Sequence, residues 1–193
     1  MGVGSGARHA TSGRQAPSAR LRLMDVRTVS PTEWRALREI RLRALADAPD
    51  AFGDTLARAS SDPDETWRDR ARRPDGIAVV AADETGRFMG MASGGPAPEA
   101  SDMAAIYGMW VDPVARGQHI GEALIGALAD WAHDAGYETI GLGVTIGNQA
   151  ASALYERLGF VDTGERFPLR DGSDLIIRIL VTSVVSLRAY LAA

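Results

Sequence analysis

The chain has 193 residues, 46% of them hydrophobic and 24% charged, and a formal net charge of −4. It has no cysteine, and its three histidines lack ligand spacing, which excludes disulfides, cysteine nucleophiles and thiolate metal sites and argues against zinc. No stretch reaches the roughly 18 apolar residues of a membrane span, and the negative charge disfavours nucleic acid as a partner. We therefore expect a cytoplasmic protein that binds no metal, membrane or nucleic acid.

The first residues are rich in Gly, Ser, Ala and Arg without periodicity, so we predict a disordered leader over residues 1–22. A single folded domain is expected over residues 23–182, followed by a tail, residues 183–193, with weak helical character. Predicted strands lie at 24–29, 77–82, 88–93, 104–111, 139–144, 160–166 and 175–180, and predicted helices at 31–46, 61–73, 118–135 and 148–158. This order predicts an α/β fold in which helices flank a mixed central sheet.

Local signals mark two of the helices. Ser30, Pro31 and Glu33 have the spacing of a capping box with proline at the first helical position, which predicts a helix start. The helix over 118–135 repeats apolar residues at three- and four-residue steps and so has one buried face. Its apolar residues are Ile120, Leu124, Ile125, Leu128, Trp131 and Ala132.

The connection before that helix has the features of an anion site. A strand ends at Val111, and a loop containing Gly117 leads into the helix that carries Gly121. The first amides of a helix have no intrahelical partner and lie at the positive end of its dipole, so a diphosphate placed there receives several N–H donors. Glycine lets the backbone approach such a ligand closely. An ordinary strand–loop–helix connection has the same spacing, so the pattern alone leaves both interpretations open.

Arg116-Gly117-Gln118-His119-Ile120-Gly121 resembles the acyl-CoA-binding motif Gln/Arg-x-x-Gly-x-Gly/Ala of the GNAT superfamily of N-acetyltransferases. Arg116 fills the first position and Gly121 the last, while His119 stands where the first glycine is usual. The resemblance implies that this turn binds the pyrophosphate of acetyl-CoA. The residues implied in binding are Arg116, Gly117, Gln118, His119, Ile120, Gly121, Glu122 and Ala123.

A second segment, residues 148–160, is similar to the family pattern Asn-x-x-Ala-x-x-Leu-Tyr-x-x-x-Gly-Phe without departure. The resemblance implies a GNAT fold whose fourth strand splays at a bulge and pairs with the pantetheine arm through Met109, Trp110 and Val111. It also implies that the Tyr155 hydroxyl points at the thioester sulfur. Asn148 would bond the coenzyme arm or cap its own helix, and both roles are compatible.

The resemblance implies transfer of an acetyl group from acetyl-CoA to a primary amine of a small molecule, by direct attack in a ternary complex. Acetylation of protein N-termini or lysines is an alternative, and a non-catalytic acyl-CoA sensor is another. Residues 41–53 look like a segment near the acceptor site of many bacterial members, although a helix end and a solvated loop explain them equally well. A homodimer is possible, and the apolar tail over 184–191 could contribute to it.

Tyr155 is better described as a hydrogen-bond donor than as an acid, because transfer from a tyrosine of pKa about 10 to a thiolate of about 8.5 is uphill by roughly 2 kcal/mol. The general base is open. Residues 104–110 contain no carboxylate, so Tyr107, Asp102, Asp54 and a water chain to a backbone carbonyl remain candidates. His119 is not expected to be the base, because it lies in the phosphate loop.

Two further assignments stay open. Trp110 either lines the thioester pocket or belongs to the core. The acidic residues Asp50, Asp54 and Asp62 either attract a cationic substrate or belong to a solvated loop.

Overall fold

The computed structural model describes residues 1, 24–98 and 100–193, without the side chains of residues 100 and 101. The described strands are β1 (Asp25–Thr28), β2 (Ile77–Ala82), β3 (Phe88–Ala97), β4 (Ala100–Val111), β5 (Thr139–Thr145), β6 (Val161–Pro168) and β7 (Ile176–Ser183). The helices are α1 (Trp34–Asp47), α2 (Leu56–Ser61), α3 (Asp64–Arg72), α4 (Ile120–Asp134), α5 (Gln149–Arg157) and α6 (Val184–Leu191). The leader predicted over residues 1–22 lies, apart from Met1, outside the described residues.

The strands form one sheet in the order β1-β2-β3-β4-β5-β7-β6. Every neighbouring pair is antiparallel except β4 and β5, which run parallel. One buried cluster joins the sheet to α4, α5 and α6, and a second joins it to α1, α2 and α3. The predicted α/β fold with a mixed central sheet flanked by helices is therefore confirmed. No helix in the described ranges combines the length and hydrophobicity that crossing a bilayer requires.

Helix α4 packs directly against β3 because two glycines leave room for it. A Cβ atom added to Gly90 would lie 2.8 Å from Ile120, and one added to Gly94 would lie 2.8 Å from Trp131. Leu124 and other residues on the same face of the helix are completely buried, and each such burial contributes about 1.5–3 kcal/mol. Since Gly90 pairs with Val111 of β4, this contact brings the first turn of α4 close to the end of that strand.

The predicted capping box is present. The Glu33 carboxylate accepts the Ser30 N–H at 2.8 Å, and a short 3-10 turn, Pro31–Glu33, leads into α1. Helix α4 begins at Ile120 rather than at residue 118, because His119 adopts a left-handed conformation. Helix α2 was not predicted: it has only six residues and begins at Thr55, whose hydroxyl accepts the Arg58 N–H.

The C-terminal tail forms α6 and packs on α4. Val184 and Leu187 are buried in the same cluster as α4, and Arg188 forms an ion pair with Asp130 at 2.7 Å. The apolar side of the tail is thus covered within the chain, and Val185 and other outward residues remain exposed. This leaves less apolar surface for a dimer contact than the sequence pattern indicates.

Candidate functional site

Strands β4 and β5 separate halfway along their length. Their pairing covers residues 103–106 of β4 and ends opposite Leu142. Just beyond, β4 contains a bulge, because it has one residue more than β3 between Tyr107 and Trp110. Gly108, inside the bulge, has a φ of +62°, a conformation that favours glycine. The predicted splay is confirmed, and it opens a gap between the ends of the two strands.

The register shows which backbone groups face this gap. Trp110 pairs with Met91 of β3, and the Asp112 N–H donates to the Met89 carbonyl at 2.8 Å. Backbone groups of successive strand residues point to opposite edges, so Val111, between these two, faces the gap. Of the strand residues implied in pantetheine binding, Val111 therefore has a free N–H, while its carbonyl accepts from Arg116 and the backbone of Trp110 is used by the sheet.

The turn that follows β4 has a run of unused amides. No backbone N–H from Gly117 to Glu122 donates to another atom in the described part of the chain. The run ends at Ala123, whose N–H donates to the His119 carbonyl at 3.0 Å and is therefore not free for a ligand. Gly117 has a φ of +77°, which turns the chain into the helix. Six successive amides at a helix N-terminus are what a diphosphate site requires.

His119 takes the conformation that glycine usually supplies in this motif. Its φ is +58°, and its ring, 82% exposed, forms a 2.5 Å contact with the Glu122 carboxylate. Glu122 also pairs with Arg157 at 2.5 Å. The hydrogen bond from Arg157, and to a smaller extent the one from His119, lowers the pKa of Glu122. The ring therefore contacts the first turn of the helix rather than the unused amides.

Arg116 does not extend into solvent near the amides but folds back onto α1. Its guanidinium pairs with Asp47 at 2.6 Å and donates to the Val111 carbonyl at 3.1 Å. The Asp47 carboxylate also accepts the Trp110 indole N–H at 2.9 Å. The indole hydrogen bond has the largest effect on the pKa of Asp47, and both it and the Arg116 hydrogen bond lower that pKa. Trp110 itself is buried in the cluster beneath α1, so it belongs to the core and does not line the cavity.

A second contact ties the same helix to the end of β4. Arg43 of α1 pairs with Asp112, which is buried, and Arg43 also donates to the Phe88 carbonyl at 2.5 Å. Asp112 in turn accepts the Val114 N–H and so caps the 3-10 turn that begins the loop. Sequence analysis did not identify Arg43 or Asp47, because their partners lie 69 residues away along the chain.

Gly121 allows α4, α5 and β4 to meet. A Cβ atom added there would lie 2.9 Å from the Met109 methyl and 3.1 Å from Leu154 of α5. Met109 in turn accepts a hydrogen bond from the Tyr155 hydroxyl, with 3.5 Å between oxygen and sulfur. The glycine at the last position of the motif therefore sets how closely the turn approaches Tyr155.

Tyr155 is 7% exposed, and its ring packs edge-on against Phe160 with 5.7 Å between centroids. Burial raises the pKa of its hydroxyl to about 12. A hydroxyl with this pKa stays protonated, and transferring its proton to a thiolate of pKa about 8.5 would cost about 5 kcal/mol. The geometry thus supports the donor interpretation rather than the acid.

A cavity of about 70 Å³ occupies the gap between β4 and β5. Gly108 and Ala51 line it on the α1 side, and Tyr155 and Asn148 line it on the α5 side. The Asn148 side chain accepts the Ala151 N–H at 3.2 Å and so caps α5, as the sequence allowed. Its amide N–H₂ makes no hydrogen bond within the described ranges and is available to a ligand.

The three candidate bases are poorly placed. The Tyr107 hydroxyl donates to the Pro96 carbonyl, and burial raises its pKa. Asp102 lies six residues before Gly108 on an extended strand, about 20 Å away. Asp54 pairs with Arg58 at 2.6 Å. Burial acts to raise the pKa of Asp54, but the hydrogen bond from Arg58 and other contacts outweigh it, so the pKa is lowered. The described cavity lining contains no carboxylate or imidazole.

The α1 side of the gap is closed by two loops that touch. Arg170, in the β6–β7 loop, donates to the Phe52 and Pro49 carbonyls at 2.9 and 3.2 Å. Thr145, at the end of β5, donates to the Asp50 carbonyl at 2.7 Å. These contacts hold the loop that carries Ala51, which lines the cavity.

Comparison with known proteins supports this arrangement. Residues 34–160 match the acetyltransferase (GNAT) family. Mycothiol acetyltransferase of Salinispora tropica is 35% identical over 130 residues, which make up 66% of this chain and 40% of that protein. [Ribosomal protein bS18]-alanine N-acetyltransferase of Escherichia coli K12 is 39% identical over 87 residues, 43% of this chain and 59% of that protein. The chain thus spans well under two thirds of the length of either relative.

Among solved structures, yncA of Salmonella typhimurium, determined with its cofactor acetyl-CoA, superimposes with a TM-score of 0.68 at 20% identity. The superposition covers 84% of this chain and 94% of that one, and at this identity it shows the fold alone. The family match covers well over half of the chain and includes both the turn after β4 and the Tyr155 segment. The chain therefore belongs to the GNAT family of acetyltransferases.

Proposed function

We propose that this protein is an N-acetyltransferase that transfers the acetyl group of acetyl-CoA to a primary amine of a small molecule, by direct attack in a ternary complex. One observation carries the proposal. A gap in the sheet has unused amides at the end of β4 and the buried Tyr155 hydroxyl at its cavity. This arrangement suits a ligand that has a diphosphate at one end and a reactive thioester at the other.

The coenzyme would bind mainly through backbone groups. The pyrophosphate would accept N–H groups from Gly117 to Glu122, and the pantetheine arm would pair with Val111 as an added strand. The Asn148 amide would donate to the same arm. Arg116 would contribute by holding the turn against α1 rather than by contacting phosphate.

The reaction needs a neutral amine, and an alkylamine of pKa about 10.4 is neutral only about once in 10³ molecules at neutral pH. Because no carboxylate or imidazole lines the described cavity, water is the proton acceptor that we propose. The nitrogen lone pair attacks the thioester carbon, the C–S bond then breaks, and the amine proton leaves to water. Tyr155 donates a hydrogen bond to the departing sulfur, which takes up a proton from solvent as free thiol.

The acceptor side favours a small molecule. Arg170 and Thr145 tie together the loops on the α1 side of the cavity. An extended peptide requires a long open cleft. The relatives do not distinguish a small-molecule acceptor from a protein acceptor, since one is named for mycothiol and the other for an alanine of a ribosomal protein. Acetylation of protein N-termini or lysines is the second candidate, and the Escherichia coli relative is its support.

We propose a cytoplasmic location and no nucleic-acid partner. Acetyl-CoA carries several phosphate charges and does not cross a bilayer unaided, so the enzyme is expected where the coenzyme is made. The net charge of −4 opposes binding to nucleic acid. A homodimer stays a prediction, for which Val185 and Tyr190 are the exposed apolar residues of α6.

The test is thiol release from acetyl-CoA in the presence of a panel of amines, with products checked by mass for one added acetyl group. The panel contains amino acids, polyamines, amino sugars and short peptides with free N-termini or lysines. Release with small amines but not peptides supports the proposal, and release with peptides alone supports the second candidate. Acetyl-CoA binding without release for any amine would indicate a sensor and refute the enzyme.

A further inference from the structure

Arg41 of α1 lies beside the acceptor side of the cavity. Its guanidinium stacks over the Phe52 ring, 4.4 Å from the centroid. A Cβ atom added to Gly108 would lie 3.1 Å from its Nη1 atom. Gly108 lines the cavity, and so does Ala51, the neighbour of Phe52. The side chain therefore reaches the wall that a bound acceptor would contact.

Arg41 interacts electrostatically with Asp54, but it makes no hydrogen bond and no ion pair with the described residues. Burial lowers the pKa of its guanidinium to about 10. Three other arginines of α1, α2 and α3 do pair with carboxylates: Arg43 with Asp112, Arg58 with Asp54 and Arg70 with Asp62. Withdrawing a charge from water without a partner is costly, so the unpaired state of Arg41 needs a reason.

The residues outside the described ranges contain one acidic side chain, Glu99. Its described neighbour Ala100 begins β4 eight residues before Gly108, about 26 Å along an extended strand. A ligand from outside the chain therefore suits the Arg41 guanidinium.

The charged side chains around Arg41 include more arginines than carboxylates. Arg41, Arg58 and Arg70 interact with one another and with Asp54, and Asp62 pairs with both Arg58 and Arg70. Three cations thus face two carboxylates. Of the acidic loop residues, Asp54 and Asp62 pair with arginines, whereas Asp50 forms no ion pair with a described residue. Arg41 is thus a positive charge beside the cavity of a chain that is negative as a whole.

We propose that the acceptor amine also carries a carboxylate, as an amino acid does, and that Arg41 binds this carboxylate while the amino group faces the bulge at Gly108. The inference rests on the proposed transferase function and names its substrate class. A planar guanidinium donates two parallel hydrogen bonds to a carboxylate, which orients as well as binds it. One unpaired guanidinium matches one carboxylate.

The test compares the common amino acids with their carboxamides and methyl esters, and each kcat/KM is calculated for the neutral amine because removing the carboxylate lowers the amine pKa. With the wild-type protein, kcat/KM for the preferred amino acid should exceed that for its carboxamide by roughly 10- to 100-fold, the effect of a charge-assisted hydrogen bond. Arg41→Gln should lower kcat/KM for the acid by a similar factor and leave the carboxamide rate and acetyl-CoA binding unchanged. Arg41→Lys, which keeps the charge, should retain part of the preference.

Arg38→Gln is the matched control, because Arg38 lies on the same helix and donates to the Ser60 carbonyl instead. Thermal melting and acetyl-CoA calorimetry check that each variant is folded. If Arg41→Gln does not fold, the inference is tested by the ratio of kcat/KM for the amino acid to kcat/KM for its carboxamide, measured in the wild type and in Arg41→Lys.

Equal rates for acids and carboxamides would overturn the inference while the transferase function stands, and so would release with polyamines or peptides alone. Absence of amine-dependent release with every compound would overturn both.

Discussion

Replacing Tyr155 with phenylalanine removes one hydroxyl whose only hydrogen bond to a described residue is the 3.5 Å contact with the Met109 sulfur. Sulfur is a weak acceptor, so the free energy of unfolding should fall by no more than about 1 kcal/mol. The hydroxyl matters more when the departing sulfur gains negative charge, because a hydrogen bond to a charged group is worth about 1.5–3 kcal/mol. We therefore expect Tyr155→Phe to lower kcat by roughly 10- to 150-fold.

The assay is thiol release with the best amine of the panel, which gives kcat and the KM for acetyl-CoA separately. The KM should change by less than about threefold, because pyrophosphate binding is provided by the turn after β4. Tyr137→Phe is the matched control, since Tyr137 stacks on Trp131 with 5.5 Å between centroids and does not line the cavity. Unchanged kcat in Tyr155→Phe would refute the donor role.

The pH dependence of kcat distinguishes a hydrogen-bond donor from a general acid at Tyr155. Burial raises the pKa of Tyr155 to about 12, so its hydroxyl remains neutral and able to donate as the pH rises through the assay range. The wild-type kcat should therefore rise with the deprotonation of the amine and show no decline from tyrosine ionisation below about pH 10. A decline that disappears in Tyr155→Phe would mean that Tyr155 titrates within that range and would contradict the burial argument.

Three further predictions concern the turn and its support. Asp47→Asn should reduce stability at neutral pH by less than about 1 kcal/mol, because its pair with Arg116 is partly exposed. The pKa of Asp47 is lowered in the fold, so the difference in urea midpoint from wild type should shrink as the pH falls below about 4, and a constant difference would argue against the ion pair. Gly117→Ala should lower the melting temperature through about 1–2 kcal/mol of backbone strain and weaken acetyl-CoA binding measured by calorimetry. Gly86→Ala is the control, because it introduces the same strain in an open turn at φ +82°. It should leave the acetyl-CoA affinity unchanged, and equal losses of affinity in both variants would refute a specific role of Gly117 in binding. His119→Gly should keep the acetyl-CoA affinity within about twofold, because only the loop conformation is required there; a large loss would show that the imidazole contacts phosphate.

The local parts of the site could be predicted from the sequence. The unused amides follow from a helix start after a glycine, and the capping roles of Ser30 and Asn148 follow from residue type and spacing. The order of strands and helices also followed from periodicity, apart from α2, which is too short to show a period. In each case the structure depends on residues within a few positions of one another.

The remaining parts depend on contacts between distant segments. Nothing near Arg116 in the sequence indicates that its side chain folds onto Asp47, and nothing near Arg41 indicates that it lies over the Phe52 ring beside Gly108. Strand β3 continues to Ala97 through Gly94, a residue unfavourable in strands, because the missing side chain makes room for Trp131. Such compensation becomes visible only when the packed neighbours are known.

The splay between β4 and β5 also creates an edge in the interior of the sheet. Unpaired strand edges invite pairing with another chain, which is the usual beginning of aggregation. Here the open stretch is short, five residues from Tyr107 to Val111, and the bulge at Gly108 twists it out of register. The ring of Tyr155 and the loop at Ala51 flank it on either side. The opening that we propose for the coenzyme is therefore too short and too distorted to serve as a template for a foreign strand.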